Sequence, residues 1–380
     1  MSSALDSLTE RVRAAAADHT RLSIRGGGTK DFYGQPAEGE ILDTRPLTGI
    51  VDFEPSELVV TAMAGTPLSE LQAVLAEKGQ CLPFDPPHFA VGATVGGMVA
   101  AGLSGPARAA VGSVRDYVLG AQLLNGRAEL LDFGGQVMKN VAGYDVSRLL
   151  AGSLGTLGLI TRVSLKVLPI APAEATLHFD CDQDEALELL HGWGGQPWPL
   201  DASRWALQDP ADPASGALHL RLRGAVAAVQ SACAHLGGTR RDADEAGRAQ
   251  AAADWSACRD HRLDWFAARA AGHDLWRLSV PQTTPVLAGS VAAAGEPLVE
   301  WHGGQRWYRA DAADASLAAA LRRAAADAGG HAVRFRCADP LAPDRFAPLS
   351  PALARIQEAI QHSFDPGGIF HRGRLHAAAA

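Results

Sequence analysis

The chain has 380 residues, of which 47% are hydrophobic and 20% are charged, a composition typical of a globular protein with more than one domain. Its formal net charge is −8 at pH 7, and its Lys and Arg residues form no basic block. This charge argues against nucleic acid and anionic membrane surfaces as partners, because both bind mainly through clusters of cationic side chains.

The first 170 residues alternate between helix and strand signals. Residues 4–17 predict a helix, and Leu22–Ile24 predict a short strand that runs into three glycines. A further helix is predicted between Pro67 and Gly79, because Pro favours the first helical position and Gly the position after the last. The other strands predicted here are 58–62, 118–124, 128–133 and 157–167, with a hairpin turn at Asn125–Gly126.

The composition changes near residue 170, since every Lys lies before this point and every Trp after it. Pro169 and Pro172 predict a linker, because Pro interrupts regular strand pairing. Strands are then predicted at 175–180, 218–222, 276–280 and 333–335, and helices at 184–191, 224–235, 312–326 and after Pro351. The predicted organisation is a domain at 1–170, a second at 171–345, and a C-terminal helix and tail at 346–380, with frayed residues at 377–380.

The N-terminus has no basic region followed by an apolar run, so no secretory signal is predicted. No stretch of about 18 apolar residues predicts a membrane-spanning helix. The cysteines are scattered without a C-x-x-C pair: Cys81, Cys181, Cys233, Cys258 and Cys337. We therefore expect a cytoplasmic protein with reduced thiols and no iron–sulfur cluster on this chain.

The first of three glycine clusters is Arg25–Lys30, with the sequence Arg-Gly-Gly-Gly-Thr-Lys directly after a predicted strand. Consecutive glycines allow positive φ, and their amides can converge on an anion. A plain tight turn explains the same residues equally well.

The second cluster, Gly92–Gly102, places Gly96 and Gly97 at the start of an Ala-rich helix. Unpaired amides and the helix dipole at such a start favour a pyrophosphate. Close packing of the helix on a sheet is the structural alternative.

The third cluster has Gly152, Gly155 and Gly158 at every third position. Such spacing makes a poor helix interior and suits a backbone that approaches a ligand closely, although this cluster taken alone slightly favours a structural loop. No Gly-Lys-Ser/Thr loop and no early G-x-G-x-x-G are present, so neither a nucleoside triphosphate site nor a Rossmann fold is supported.

The three clusters in this order resemble the FAD-binding domain of the vanillyl-alcohol-oxidase, or PCMH-type, flavoproteins. The resemblance extends to the family of the second FAD-binding subunit (E subunit) of bacterial glycolate oxidases, through Leu82–Pro87, Gly134–Asp145 and Leu165–Pro169. It covers the first domain strongly, the tail moderately and the middle weakly. It implies an α+β fold, with a PCMH-type FAD-binding domain of two subdomains, an α/β cap domain and a C-terminal tail that returns to the FAD domain.

The resemblance also implies which residues bind FAD. Arg25–Lys30 would surround the pyrophosphate, with Thr94 and the amides of Gly96 and Gly97 on its other side. The segment 112–116 would line the flavin and ribose, and 155–160 the adenine and ribitol. The full set is Arg25, Gly26, Gly27, Gly28, Thr29, Lys30, Pro87, Gly92, Thr94, Gly96, Gly97, Gly112, Ser113, Asp116, Gly155, Gly158 and Ile160. Relatives with covalent flavin commonly carry a His in the first loop, and this loop has none, so we expect non-covalent FAD, with His88 outside the loop.

Catalysis on a 2-hydroxy acid needs a base for the hydroxyl proton and a cation for the carboxylate. Catalytic relatives carry a Gly-Asp-Gly-Asn-x-His segment in the cap, and this chain lacks it. The resemblance therefore implies an accessory or electron-relay subunit beside a catalytic FAD subunit and an iron–sulfur subunit, with any attachment to the inner membrane made through these partners. A free-standing dehydrogenase and a flavin-free assembly subunit are the alternatives.

Three further features have a functional and a structural interpretation. His371 stands where relatives usually have the Asn of Asn-Pro-Gly-Arg, and it is either a catalytic residue or a partly solvated surface residue. Tyr144 and Asp145 form either an acid–base pair or a structural hydrogen bond. The tryptophans line either an aromatic pocket or the core and subunit interfaces, and the core is the commoner use.

Overall fold

The computed structural model describes residues 2–135, 145–209, 212 and 215–376. The chain divides into two compact units. Unit 1 comprises described residues within 1–104, 113–170 and 348–380, and unit 2 comprises those within 105–112 and 171–347. The C-terminal segment thus belongs to the unit formed by the N-terminal residues, as predicted for the tail. The boundaries predicted at 170 and 345 stay predictions.

The strands, in chain order, are β1 (Leu22–Arg25), β2 (Glu40–Asp43), β3 (Ile50–Glu54), β4 (Val59–Met63), β5 (Gln80–Cys81), β6 (Val118–Leu124), β7 (Leu130–Gly134), β8 (Leu159–Lys166), β9 (Leu168–Pro169), β10 (Ala173–Asp180), β11 (Leu200–Leu207), β12 (Gly216–Gly224), β13 (Thr239–Arg240), β14 (His273–Ser279), β15 (Leu298–Glu300), β16 (Gln305–Asp311) and β17 (His331–Arg336).

The helices are α1 (Ser2–Asp18), α2 (Leu68–Glu77), α3 (Val95–Ala101), α4 (Arg108–Val111), α5 (Val114–Tyr117), α6 (Val146–Leu149), α7 (Gln183–Gly194), α8 (Val226–Leu236), α9 (Glu245–Arg259), α10 (Asp264–Ala267), α11 (Ala315–Asp327) and α12 (Pro351–Phe364). Short 3-10 segments lie at Pro55–Glu57, Gly289–Ala294 and Trp301–Gly303. Among the described helices, none is both long and apolar enough to cross a membrane.

Unit 1 contains two subdomains, as the predicted α+β architecture requires. In one, β1 and β2 pair in parallel and pack on α1 through apolar side chains that include Leu8, Val12 and Leu42. The other is an antiparallel sheet in the order β3-β4-β8-β6-β7. The predicted hairpin is confirmed, because β6 pairs with β7 around the Asn125–Gly126 turn.

The C-terminal tail extends the small parallel sheet of unit 1. Phe370 forms a parallel bridge with Leu22, and the amide of Leu22 donates to the carbonyl of Ile369 over 2.8 Å. Ile369 and Phe370 are both buried in the same cluster as α1. The tail is therefore part of the fold of unit 1.

Unit 2 is an antiparallel sheet in the order β13-β10-β12-β11-β15-β16-β14-β17. The cluster around α7 and α8 includes Leu190, Val229 and Leu220, and a separate cluster joins α11 to Trp276 and Leu278. Six tryptophans of this unit are buried: Trp193, Trp205, Trp255, Trp276, Trp301 and Trp307. Their use as core residues, rather than as the lining of an aromatic pocket, is thereby confirmed.

One local prediction is wrong. Leu168 and Pro169 do not begin a free linker, because they form β9 and pair with β5. Pro169 is accommodated because the pairing is only two residues long and needs little from its missing amide. The residues 136–144 of the motif Gly134–Asp145, including Tyr144, and the tail residues 377–380 lie outside the described residues.

Candidate functional site

The three glycine clusters converge on one cleft in unit 1. Its empty volume is about 730 Å³, including the part that is open to solvent. The predicted residues that line it are Arg25, Gly26, Gly27, Gly28, Thr29, Lys30, Thr94, Gly96, Gly97, Gly155, Gly158 and Ile160. The cleft is also lined by Leu159, which lies within the predicted segment 155–160, and by residues outside the predicted binding set: Ile24, Asp31, Thr44, Ala64, Ala100, Ala101, Leu154, His371 and Arg374.

The first loop presents unused donors to the cleft. The backbone amides of Gly26, Gly27, Gly28 and Thr29 donate to no acceptor among the described residues. Four consecutive free amides at a cleft wall suit an anion, because each N–H carries a partial positive charge. The interpretation of this segment as an anion-binding loop is therefore favoured over a plain turn.

The side chain of Arg25 lies close to Gly28 in this loop. A Cβ atom on Gly28 would lie 2.5 Å from Nη2 of Arg25, and Gly28 has a φ of +72°. The Nε of Arg25 donates to Oδ2 of Asp31 over 2.7 Å. The left-handed conformation favours glycine at position 28, and a side chain there would displace the Arg25 guanidinium.

In the second glycine cluster, Gly92–Gly102 (the second segment), the amides at the start of α3 have acceptors within the protein. The amide of Val95 donates to the carbonyl of Thr66 over 3.0 Å, and that of Gly96 to the carbonyl of Ala64 over 2.7 Å. The amide of Gly97 donates to the Thr94 hydroxyl over 3.2 Å. These amides therefore already have acceptors within the protein, and the assignment of Gly96 and Gly97 as pyrophosphate donors stays a prediction.

Close packing explains the glycines of this segment. A Cβ atom on Gly96 would lie 2.6 Å from the Cβ of Ala64, and one on Gly27 would lie 1.6 Å from the carbonyl oxygen of Gly92. One on Gly26 would lie 2.4 Å from Oγ1 of Thr94. The second segment is thus the wall against which the first loop rests.

The third glycine cluster, which contains Gly152, Gly155 and Gly158 (the third segment), packs on α3 of the second segment. The amide of Gly152 donates to the carbonyl of Val99 over 3.0 Å, and the amide of Leu154 to that of Ala100 over 2.8 Å. Gly155 and Gly158 then follow with φ values of +78° and +139°. These contacts place Gly155 and Gly158 at the cleft.

His371 joins the first and third segments. Its Nε2 accepts the amide of Ile24 over 2.7 Å, and its Nδ1 lies 2.6 Å from the carbonyl oxygen of Leu154. Burial, together with the charge of Arg374, lowers the pKa of His371 to about 4. The expectation of a partly solvated surface residue is corrected, because the side chain is buried. A catalytic role is disfavoured, because both ring nitrogens are engaged within the protein.

Three cationic side chains and one carboxylate line the cleft. The cations are Arg25, Lys30 and Arg374, and the carboxylate is that of Asp31. Arg374 is held by hydrogen bonds from Nη1 to the carbonyl of Gln35 and from Nη2 to that of Tyr33, over 3.2 and 3.1 Å. This excess of positive charge attracts an anionic ligand.

The remaining predicted binding residues do not line the cleft. Gly92 supports Gly27, and Pro87 is buried in the preceding loop. The side chain of Asp116 accepts the amide of Ser113 over 2.8 Å and caps α5. Gly112 ends α4 with a φ of +92° and belongs to unit 2. The structure gives these residues local structural roles.

Asp145 is also used structurally. Its carboxylate accepts the hydroxyl of Ser147 over 2.9 Å and the amide of Arg148 over 3.3 Å, which caps α6. The structural interpretation of Asp145 is therefore favoured. Within the described ranges, no group of three His, Cys, Asp or Glu side chains is arranged to hold a metal ion.

The free amides and cations of the cleft fit the pyrophosphate of a dinucleotide, and comparisons with known proteins agree. Residues 4–134 match the family model described as FAD binding domain. The chain is 40% identical over 370 residues to the glycolate oxidase subunit GlcE of Escherichia coli, with 97% of each chain covered.

Other relatives match over shorter lengths. The glycolate oxidase subunit GlcD of Bacillus subtilis is 32% identical over 171 residues, which is 44% of this chain and 36% of that protein. A D-lactate dehydrogenase of Archaeoglobus fulgidus is 34% identical over 148 residues, covering 38% and 33%. The fold is similar to that of alkyldihydroxyacetonephosphate synthase, with a TM-score of 0.66, 14% identity, and coverage of 96% of this chain and 73% of that one.

Proposed function

The chain belongs to the family of the glycolate oxidase subunit GlcE, FAD-dependent oxidoreductases with a PCMH-type FAD-binding domain, and we propose that it is an accessory FAD-binding subunit of a glycolate oxidase complex. Its partners in this proposal are a catalytic FAD subunit and an iron–sulfur subunit. We place the complex in the cytoplasm, with any contact to the inner membrane made through these partners.

The observation that carries the proposal is the set of free amides in the first loop. The amides of Gly26, Gly27, Gly28 and Thr29 would hold the pyrophosphate, and Arg25, Lys30 and Arg374 would balance its charge. FAD, when bound, supplies the two-electron redox chemistry. The protein contributes binding, orientation and the positive field of the cleft.

Two features support a non-covalent FAD. The first loop, Arg25–Lys30, contains no His or Cys that could form a covalent bond with the flavin. His371 lines the cleft, but both of its ring nitrogens are engaged by Ile24 and Leu154. We expect acid precipitation to release the flavin into the supernatant, and flavin that stays on the precipitated chain would contradict this.

The accessory role is supported by a sequence segment that the chain lacks and by the share of each relative's length that the chain matches. The Gly-Asp-Gly-Asn-x-His segment of catalytic relatives is absent from the sequence. The match to the GlcE subunit spans 97% of both chains, whereas the match to the GlcD subunit spans 36% of that protein. The similarity to GlcD is therefore partial, and we assign the principal catalytic site to a partner.

The test is the visible absorption spectrum of the purified chain before and after anaerobic addition of glycolate. We expect flavin bands that glycolate does not bleach in the chain alone and does bleach once the partner subunits are added. Bleaching in the chain alone would make it a free-standing dehydrogenase. A colourless chain that does not take up added FAD would make it an assembly subunit.

A further inference from the structure

His371 connects two parts of the cleft that are distant in sequence. Ile24 lies two residues before Gly26 on the strand that leads into the first loop, and Leu154 directly precedes Gly155 of the third segment. The imidazole bonds to the backbone of both, over 2.7 and 2.6 Å. A Cβ atom on Gly155 would lie 3.1 Å from Nδ1 of His371, so the ring is packed closely against this segment.

These two contacts determine the tautomer of the imidazole. Since the amide of Ile24 is a donor, Nε2 must be unprotonated to accept it. Nδ1 then carries the proton and donates it to the carbonyl of Leu154. Burial lowers the pKa of His371 to about 4, which keeps this neutral form at cellular pH.

The tail that carries His371 is anchored by other contacts as well. The carboxylate of Asp365 accepts the amides of Ile369 and Phe370 over 3.2 and 2.8 Å. Arg374 bonds to the carbonyls of Tyr33 and Gln35 on the other side. The tail therefore has contacts that hold it in place without the imidazole, and a substitution at His371 tests the imidazole itself.

We propose that His371 is a positioning residue of the flavin site, whose imidazole holds the first loop and the third segment at the spacing that binds FAD. This inference rests on the proposed function, because it assumes that the cleft binds FAD. The imidazole touches the backbone that leads into the donor loop, so its loss would leave the four free amides without a fixed position. A site held in this way binds more tightly because less order is lost on binding.

The experiment compares FAD affinity among three variants of the full-length chain. His371→Phe keeps a ring but removes both hydrogen bonds. His371→Gln keeps one donor and one acceptor, as the neutral imidazole does. His219→Phe is the matched control, since His219 is a half-buried histidine of unit 2 whose Nε2 lies 3.3 Å from Nδ1 of His178.

The dissociation constant of FAD is measured on the flavin-free proteins, with melting temperature and amide exchange of residues 24–30 as separate readouts. We expect His371→Phe to weaken FAD binding by about tenfold or more, His371→Gln by less than about threefold, and His219→Phe not at all. Amide exchange of residues 24–30 rises in His371→Phe without FAD and does not rise in His219→Phe.

Several outcomes would overturn the inference. A folded His371→Phe that binds FAD like the wild type shows that the imidazole contributes only stability. Equal loss in His371→Phe and His371→Gln shows that the two hydrogen bonds are not what matters. If His371→Phe does not fold, His371→Ala, which leaves space instead of an apolar ring, makes the same comparison. A wild-type chain that binds no FAD would refute the proposed function instead.

Discussion

The first glycine loop and the second glycine segment have similar compositions and opposite uses. In Arg25–Lys30, the amides of Gly26, Gly27, Gly28 and Thr29 have no acceptor among the described residues. At the start of α3, the amides of Val95, Gly96 and Gly97 all donate within unit 1. Glycine serves the first loop by exposing donors and the second segment by allowing two backbones to touch.

This difference shows that a glycine-rich helix start is not by itself an anion site. An amide can bind a ligand only if the protein has not already supplied an acceptor. For α3 the acceptors are the carbonyls of Ala64 and Thr66, about thirty residues earlier in the chain. The same glycines that bring the helix close to these carbonyls therefore remove its donors from the cleft.

The largest expected effect is the loss of stability in Gly27→Ala, which tests the close packing of the first loop against the second segment. The new Cβ would lie 1.6 Å from the carbonyl oxygen of Gly92, and the clash cannot be relieved without moving backbone, because this oxygen is a main-chain atom and the Cβ is fixed to the main chain of residue 27. We expect the free energy of unfolding to fall by about 3 kcal/mol or more. Denaturant unfolding measures this. The control is Gly192→Ala in α7, where no atom lies within 4 Å of the new Cβ and alanine favours the helix. Equal stability of the two variants would contradict the packing role.

The second effect is a pH dependence of the free energy of unfolding. It is expected for the first loop, which the imidazole of His371 helps to hold, and not for the second segment, which backbone hydrogen bonds hold. His371 has a pKa of about 4 in the folded protein and an ordinary value of 6.5. Its contribution to stability is fully present above about pH 6.5 and is lost as the pH falls towards 4, because the unfolded chain binds the proton more readily. The expected loss is as much as about 3 kcal/mol.

The difference in the free energy of unfolding between the wild type and His371→Gln isolates this contribution, because half-buried His219 and His302, whose pKa values are also lowered, add losses of the same sign to both proteins. Denaturant unfolding at several pH values from 7.5 to 4 is the measurement. Parallel pH profiles for the two proteins would show that His371 does not titrate as described.

Smaller effects on stability and FAD affinity are expected when alanine replaces either of two glycines whose backbone is left-handed. Gly28 in the first loop has a φ of +72°, and Gly79 after α2 has a φ of +65°. Both variants should lose about 1 kcal/mol of stability through the same backbone strain. Only Gly28→Ala should weaken FAD binding, by about tenfold, because its Cβ displaces Arg25 in the cleft. Titration of the flavin-free variants with FAD measures this, and equal affinities would remove Gly28 from the site.

The smallest effect is expected from Asp31→Asn. This carboxylate bonds Arg25 over 2.7 Å, and both side chains are about half exposed, so the pair contributes less than about 1 kcal/mol to stability. Removing its negative charge should tighten FAD binding by up to about threefold at low salt and less at high salt.

The matched control for Asp31→Asn is Asp132→Asn, which breaks a 2.8 Å pair with Arg162 away from the cleft-lining residues. It should leave FAD affinity unchanged at any salt concentration. Weaker FAD binding in Asp31→Asn would instead mean that the carboxylate is needed to hold Arg25 in place. In that case the donor loop depends on its side chains as well as on its backbone.

Much of the fold follows from local sequence signals. The strand 118–124 has the predicted bounds, and the helix after Pro351 begins at Pro351. The Asn125–Gly126 turn signal that follows the strand and the proline that opens the helix explain the agreement. By contrast, β9 at Leu168–Pro169 exists only because β5 lies beside it, and no local signal of either segment specifies that pairing.

The sequence by itself determined where the cleft would be, because three glycine clusters in a fixed order resemble a flavin-binding domain and all three contribute to its lining. Only the tertiary structure decided which of their amides are available, since this depends on carbonyls such as that of Ala64 elsewhere in the chain. It also decided the role of His371. Three hundred and forty-seven positions separate this residue from Ile24, and only folding brings its imidazole to both backbones.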